Sequence, residues 1–310
     1  MSGSYLENNK AIKKSQYGGH IGYGIFRQVL KLFGVRPAYF LLAFIIPYYV
    51  VFRASARRSA SHYLKRRFPD DGAIARFFRT VKYMYVFGQT LIDQAAVAVL
   101  GERHLNYEFP EWENLFKHVR AGKGIILLSS HVGCWHMAMG SVGHYSSKIA
   151  FYFQLEEFNS GKYFFDISKR HDKFKIINPA GFLGGMVEMT QWLIDGNSAA
   201  IMGDRAFGAQ TAKTEFMGAE AEFPVAPYYL AHSTNSDIFM LLPVRTGKMK
   251  FRLDAVKLND GCDIEGLSKK EAIVELLRRY AENLEKCLRD NPYMWFNFFD
   301  FWDSGNNKKS

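Results

Sequence analysis

The sequence predicts an α/β fold, with a mixed, mostly parallel central sheet flanked by helices and an N-terminal helical membrane anchor. Three observations lead there. After Pro110, short apolar runs alternate with segments of helical spacing, the pattern of strands joined by crossover helices. Two later runs, Ile238–Arg245 and Lys248–Ala255, turn back at Thr246-Gly247 as a hairpin, which adds antiparallel strands. Near the N-terminus an uncharged apolar stretch is embedded in basic sequence.

Each element follows from local composition. Strands are expected at Gly124–Ser130, Lys148–Phe153, Phe174–Asn178 and Ala199–Met202, each a short apolar run between turn residues. Helices are expected at Trp112–Ala121, Trp135–His144, Phe158–Lys169, Phe182–Asp195, Pro227–Ser233 and Lys269–Arg289. Between Asp71 and Leu100, Ile74, Phe77, Phe78, Val81, Tyr85, Gly88 and Ile92 follow the i, i+3, i+4 spacing of an amphipathic helix. The expected organisation is a basic, frayed tail over 1–19, a helical anchoring region over 20–100, an α/β domain over 101–303 and a second frayed tail over 304–310.

With 310 residues, 48% of them hydrophobic and 23% charged, the chain is neither disordered nor fibrous. Its formal charge of +10 raises nucleic acid as a partner, but residues 1–67 hold twelve Lys or Arg against Glu7 alone. The other 28 basic and 29 acidic residues nearly cancel, so the main body has no basic excess for nucleic acid. The excess surrounds Ala38–Phe52, fifteen uncharged residues between Arg36 and Arg53. As a helix this run reaches about 22 Å, short of a hydrocarbon core of about 30 Å. Tyr39, Tyr48 and Tyr49 with the basic flanks suit an anionic membrane surface, and Pro47 is expected to kink the helix; a buried core helix is the alternative. Cys134, Cys262 and Cys287 are too few for a disulfide framework, which favours a reducing compartment.

In such sheets chemistry sits beyond the carboxyl ends of the strands. The run Ile125-Ile-Leu-Leu128 leads into His131-Val-Gly-Cys-Trp-His136, which places His131 at a strand–helix junction with Gly133 permitting a sharp turn. A neutral imidazole there can act as a general base. Asp204 and Arg205 follow the strand at Ala199–Met202 and belong to the same sheet edge.

These motifs resemble the late acyltransferases of lipid A biosynthesis and the related lysophospholipid acyltransferases. That family carries His-x4-Glu or His-x4-Asp after a short strand, and the present phrase matches it at His131, Gly133 and Trp135. In the family's order follow Gly203-Asp204-Arg205, Phe216-Met217-Gly218, Phe223-Pro224-Val225-Ala226-Pro227 with Leu230-Ala231, and Asn291-Pro292-Tyr293-Met294-Trp295-Phe296. The resemblance implies a bacterial inner-membrane enzyme on the cytoplasmic face. It would move an acyl chain from acyl carrier protein or coenzyme A onto a hydroxyl of a lipid or glycolipid, with His131 as base and no cofactor. It also implies substrate-binding roles for Gly133, Trp135, Arg170 and Arg205.

The sequence departs from the family at His136, which stands where the family has its acid. Three explanations are open: Asp204, Glu156 or Glu157 orients His131; a neutral His136 does so; or the protein has left ordinary acyl transfer, binding lipid or carrier protein without transfer or using an amine acceptor. Cys134 as a nucleophile and a metal held by His131, Cys134 and His136 are weaker readings, since no further Cys/His cluster completes a zinc site. No G-x-G-x-x-G, P-loop or G-x-S-x-G motif supports nucleotide binding or serine hydrolysis.

Overall fold

A computed structural model describes residues 24–135, 138, 148–152, 174–179, 182–205, 210–261 and 266–303. The helices expected at Trp135–His144 and Phe158–Lys169 fall almost wholly outside these residues, as do both tails. Helices α1 (24–33), α2 (Val35–Phe52), α3 (Ala54–Arg67) and α4 (Ala73–Leu100) come first. Then follow β1 (Asn106–Glu108), α5 (Trp112–Arg120), β2 (Ile125–Ser129), β3 (Ile149–Tyr152), β4 (Phe174–Ile177), α6 (Met186–Ile194) and β5 (Ser198–Met202). The chain continues through β6 (Thr211–Phe216), β7 (Ala219–Pro224), α7 (Ala226–Thr234), β8 (Asp237–Gly247), β9 (Lys250–Lys257) and α8 (Lys269–Asp290).

Among the described residues seven strands form one sheet in the order β1-β9-β8-β2-β5-β3-β4. Pairing is parallel except between β8 and β9, as the mixed, mostly parallel fold requires. β2 lies at the centre with all five residues buried, because helices cover both faces and a strand so placed needs apolar side chains on each. The hairpin turns at Lys248-Met249, two residues later than expected, because β8 continues through Gly247 with a bulge after Arg245.

The pair β6–β7 was not foreseen. Its strands carry Lys213, Glu215, Glu220 and Glu222, residues depleted in strands, so composition hides them. Phe216-Met217-Gly218 forms the tight turn, with positive φ at Met217 and Gly218, and Lys213 pairs with Glu220 across the strands at 3.1 Å.

Helix α2 is longer than the fifteen-residue run and continues through Pro47, giving about 27 Å at 1.5 Å per residue. Only 17% of it is buried, which sets it apart from a buried core helix. Phe40, Phe44, Tyr48 and Phe52, four residues apart, form an exposed stripe, while Ala38, Leu42 and Val50 are buried. Gly88 lies against Leu42 at the α2–α4 contact: a Cβ there would stand 2.7 Å from a Leu42 methyl group, which would have to move. Val50, Ala60, Tyr63 and Tyr83 share one hydrophobic cluster with Ile126, Leu277 and Trp295, so these helices pack into the core of the sheet domain.

A buried ion pair fastens the same junction. Asp93 of α4 is fully buried and accepts hydrogen bonds from Arg245 Nε, 2.8 Å away in β8, and from the Tyr39 hydroxyl of α2. Arg245 Nη2 donates to that hydroxyl at 2.8 Å. Removing one member of a buried pair leaves the other charge desolvated. Asp93→Ala is expected to lower stability by about 3–5 kcal/mol in denaturant unfolding of detergent-solubilised protein. Tyr39→Phe, which keeps the pair, should lose about 1 kcal/mol.

Candidate active site

Parallel register builds the site. Ser129 at the end of β2 is the partner of Met202 at the end of β5, so the residues two beyond each strand meet at the same sheet edge. Those residues are His131 and Asp204. The His131 backbone N–H donates to Asp204 Oδ2 at 2.8 Å, and its Nδ1 lies 2.8 Å from Asp204 Oδ1. Trp295 Nε1 donates to Oδ2 at 3.0 Å. Asp204 has no exposed surface, and the His131 side chain is 10% exposed.

The protonation pattern follows. Burial by itself raises the Asp204 carboxyl, but the His131 charge and hydrogen bonds, with Arg205 beside it, outweigh that and hold it at about 2. Asp204 is therefore a carboxylate at neutral pH and can only accept, so His131 Nδ1 carries the hydrogen. In neutral His131 the lone pair is then on Nε2, at the opposite edge of the ring, where it can take a proton from a hydroxyl or amine.

The chain after α8 straps this pair in place. Val132 bridges to Trp295, the Phe296 N–H donates to His131 O at 2.8 Å, and the Gly133 N–H donates to Met294 O at 2.7 Å. On the other side the Cys134 N–H donates to Pro243 O at 3.2 Å. Gly133 has φ +52°, and a Cβ there would lie 1.9 Å from Pro243 O, so only glycine fits between strap and β8. Tyr63 and Tyr83 hold the strap from α3 and α4, with hydroxyls donating to Pro292 O and Trp295 O.

A family model for the bacterial lipid A biosynthesis acyltransferases matches residues 7–303. The chain belongs to that family. A search of curated proteins finds no match.

Membership in this family implies acyltransferase activity. The carboxylate paired with His131 is Asp204, from the neighbouring strand end. His136, Arg170, Glu156 and Glu157 lie outside the described residues. Of the other expected site residues, Trp135 sets its ring edge-on to His131 at 5.2 Å between centroids. Arg205 follows Asp204 and places its guanidinium 5.7 Å from the Phe299 ring centre. Gly133 is fixed by the strap. The Cys134 thiol is buried, which pushes its pKa well above the usual range, as does Asp93, so it is not a thiolate.

Two residues missed in the sequence complete the candidate site. Trp295 belongs to a quoted motif, but its bond to Asp204 spans 91 positions and leaves no local signal. Tyr83 reads as one more apolar residue of α4, and only the fold brings its hydroxyl to the strap.

Because the folded-state pKa of Asp204 lies below the ordinary 3.8, its stabilisation is present above about pH 4 and lost as pH falls towards 2. Unfolding free energies measured from pH 6 to 2 should show wild type losing about 2 kcal/mol of its advantage over Asp204→Asn. Gly133→Ala should displace the strap and abolish most activity in an acyl-transfer assay, with a lower Tm.

Proposed function

We propose that the protein moves an acyl chain from a thioester donor, acyl carrier protein or coenzyme A, onto a hydroxyl of a lipid or glycolipid acceptor. His131 is the general base and Asp204 its orienting carboxylate. The observation that carries this reading is the 2.8 Å contact between His131 Nδ1 and Asp204 Oδ1, which leaves Nε2 for the acceptor. In the reaction Nε2 takes the hydroxyl proton as the oxygen attacks the thioester carbonyl. The imidazolium that forms is stabilised by the Asp204 charge and returns the proton to the departing thiolate. Free thiol and an acyl ester are the products.

The exposed stripe of α2 with Arg36, Arg53 and Arg58 around it supports seating at an anionic membrane, in keeping with the cytoplasmic face of a bacterial inner membrane. His136 supplies no fixed negative charge, and an orienting role for it is secondary to that of Asp204. Arg170, Arg205 and Trp135 are substrate-binding residues in this reading.

The test is acyl transfer from radiolabelled acyl carrier protein or acyl coenzyme A into membrane lipid by the purified full chain. Wild type should label lipid, His131→Ala should fall to background, and Asp204→Asn should retain about 10⁻² to 10⁻⁴ of the rate. His136→Glu should change the rate little. A large gain in His136→Glu would instead make the missing acid the limit on catalysis. Binding of lipid or carrier protein without transfer of label would overturn the enzyme reading.

A further inference from the structure

The exposed stripe of α2 has a counterpart on α4. Tyr39 bonds to Asp93 and Leu42 lies against Gly88, so the two helices run antiparallel, and Phe52 at the end of the stripe comes level with Phe78. Gly88 marks the face of α4 that α2 covers. Ile74, about four turns before it, lies on that same face just beyond the end of α2. Ile74 and Phe78 are 77% and 65% exposed, and Phe78 is braced edge-on by Phe77, which packs against the core.

The charges around these side chains have one sign. From Gly24 to Pro69 the sequence has nine Lys or Arg and no Asp or Glu. Lys31 and Arg36 are exposed at the start of α2, and Arg53 and Arg58 at its end. Arg57 closes the helix by donating to Val50 O and Val51 O at 2.6 and 2.5 Å. An apolar aromatic row with cations at both ends complements an anionic lipid leaflet, whose headgroups meet the cations while its acyl chains take the rings.

Packing decides how α2 meets that leaflet. The helix is fixed to the sheet domain near both ends, Tyr39 by Asp93 and Arg245, and Val50 by the cluster that holds Tyr63, Ile126 and Trp295. A bilayer surrounding α2 from end to end would therefore also take in the part of α4 beside it, with its ionic groups. Those are the Asp93–Arg245 pair, Lys82 with its ammonium 4.5 Å from the Tyr293 ring centre, and Arg79, bonded to Asp71 and the Tyr293 hydroxyl. Charges at that depth are costly. The outward stripe of α2, by contrast, can enter hydrocarbon without carrying a charge with it.

We propose that α2 lies along a single anionic leaflet instead of crossing the bilayer, with Phe78 and Ile74 of α4 seated in the leaflet beside it. The proposal rests on the membrane seating in the reading above and specifies its geometry. The stripe enters about 5–10 Å, and the sheet domain stays on the aqueous side.

The test places a nitroxide label, one position at a time, at Phe40→Cys, Phe44→Cys, Tyr48→Cys, Phe52→Cys and Phe78→Cys in the full chain carrying Cys262→Ser; Cys134 and Cys287 are buried. Depth is read by electron paramagnetic resonance on vesicles of phosphatidylcholine with phosphatidylglycerol. All five labels are expected at one shallow depth, about 5–10 Å below the phosphates. Depth that reaches the bilayer centre at Phe44 or Tyr48 and returns to the opposite surface at Phe52 shows a span, which overturns the proposal and leaves membrane seating standing. A label at Phe78 that stays in water overturns the shared face, as does unchanged vesicle affinity in the Ile74→Ser, Phe78→Ser double variant, whose affinity is expected to fall about tenfold at unchanged Tm. Binding to pure phosphatidylcholine should be weaker by about tenfold or more, and equal binding overturns the anionic occupant. Labels already shielded in vesicle-free protein with the mass of a dimer make a second copy the occupant and overturn the proposal. Wild type that binds no vesicle overturns the membrane seating and this geometry together; none of these readouts requires turnover, so a failure of acyl transfer is seen separately.

Discussion

The structure is organised around one fully buried carboxylate. A charge with no exposed surface is tolerated only when its lone pairs are occupied and a positive or polarised partner is close. Asp204 meets that demand with bonds from His131 Nδ1, the His131 backbone and the Trp295 indole. Each partner brings constraints of its own. The two bonds to His131 require β2 and β5 to be parallel neighbours in the register that sets Ser129 beside Met202. The bond to Trp295 requires the strap, which in turn needs a residue without a side chain at Gly133 and tyrosines from α3 and α4. Sheet order, strap and N-terminal helices thus serve a single electrostatic requirement.

That requirement also accounts for the unusual motif. In the proposed reading, the carboxylate paired with His131 comes from the adjacent strand end rather than from the helix that follows the histidine. That placement is set by the backbone: with β2 and β5 paired in this register, position 204 falls beside position 131, and Asp204 bonds both its backbone and its ring.

Most strands and helices were legible because each depends on local pattern. The apolar run Ile125–Leu128 could be little else than a buried strand, and the spacing from Ile74 to Ile92 fixed α4 within two residues of its start. His131 and Asp204 were separately visible as residues following strands. Their pairing was one of several open alternatives, beside Glu156, Glu157 and His136, because choosing among them depends on which strands are neighbours, and sheet order is decided by packing across the whole chain. Asp93 shows the same limit: within the apolar second half of α4 it looks like a residue turned to solvent, yet it is fully buried because Arg245 arrives from 152 positions away. The β6–β7 pair was hidden for a different reason, its charged strands being stabilised by cross-strand contacts that composition does not record.

The strap of residues 291–302 has a consequence for how the molecule acquires activity. The bonds that define the site close loops of 73 and 91 residues, and long closures become favourable only after shorter-range structure has formed. A chain whose sheet has assembled but whose strap is detached would hold Asp204 with one of its three bonds missing. Such a state leaves a buried charge short of a donor, which penalises it as a fold. The strap therefore ties completion of the Asp204 site to completion of the fold.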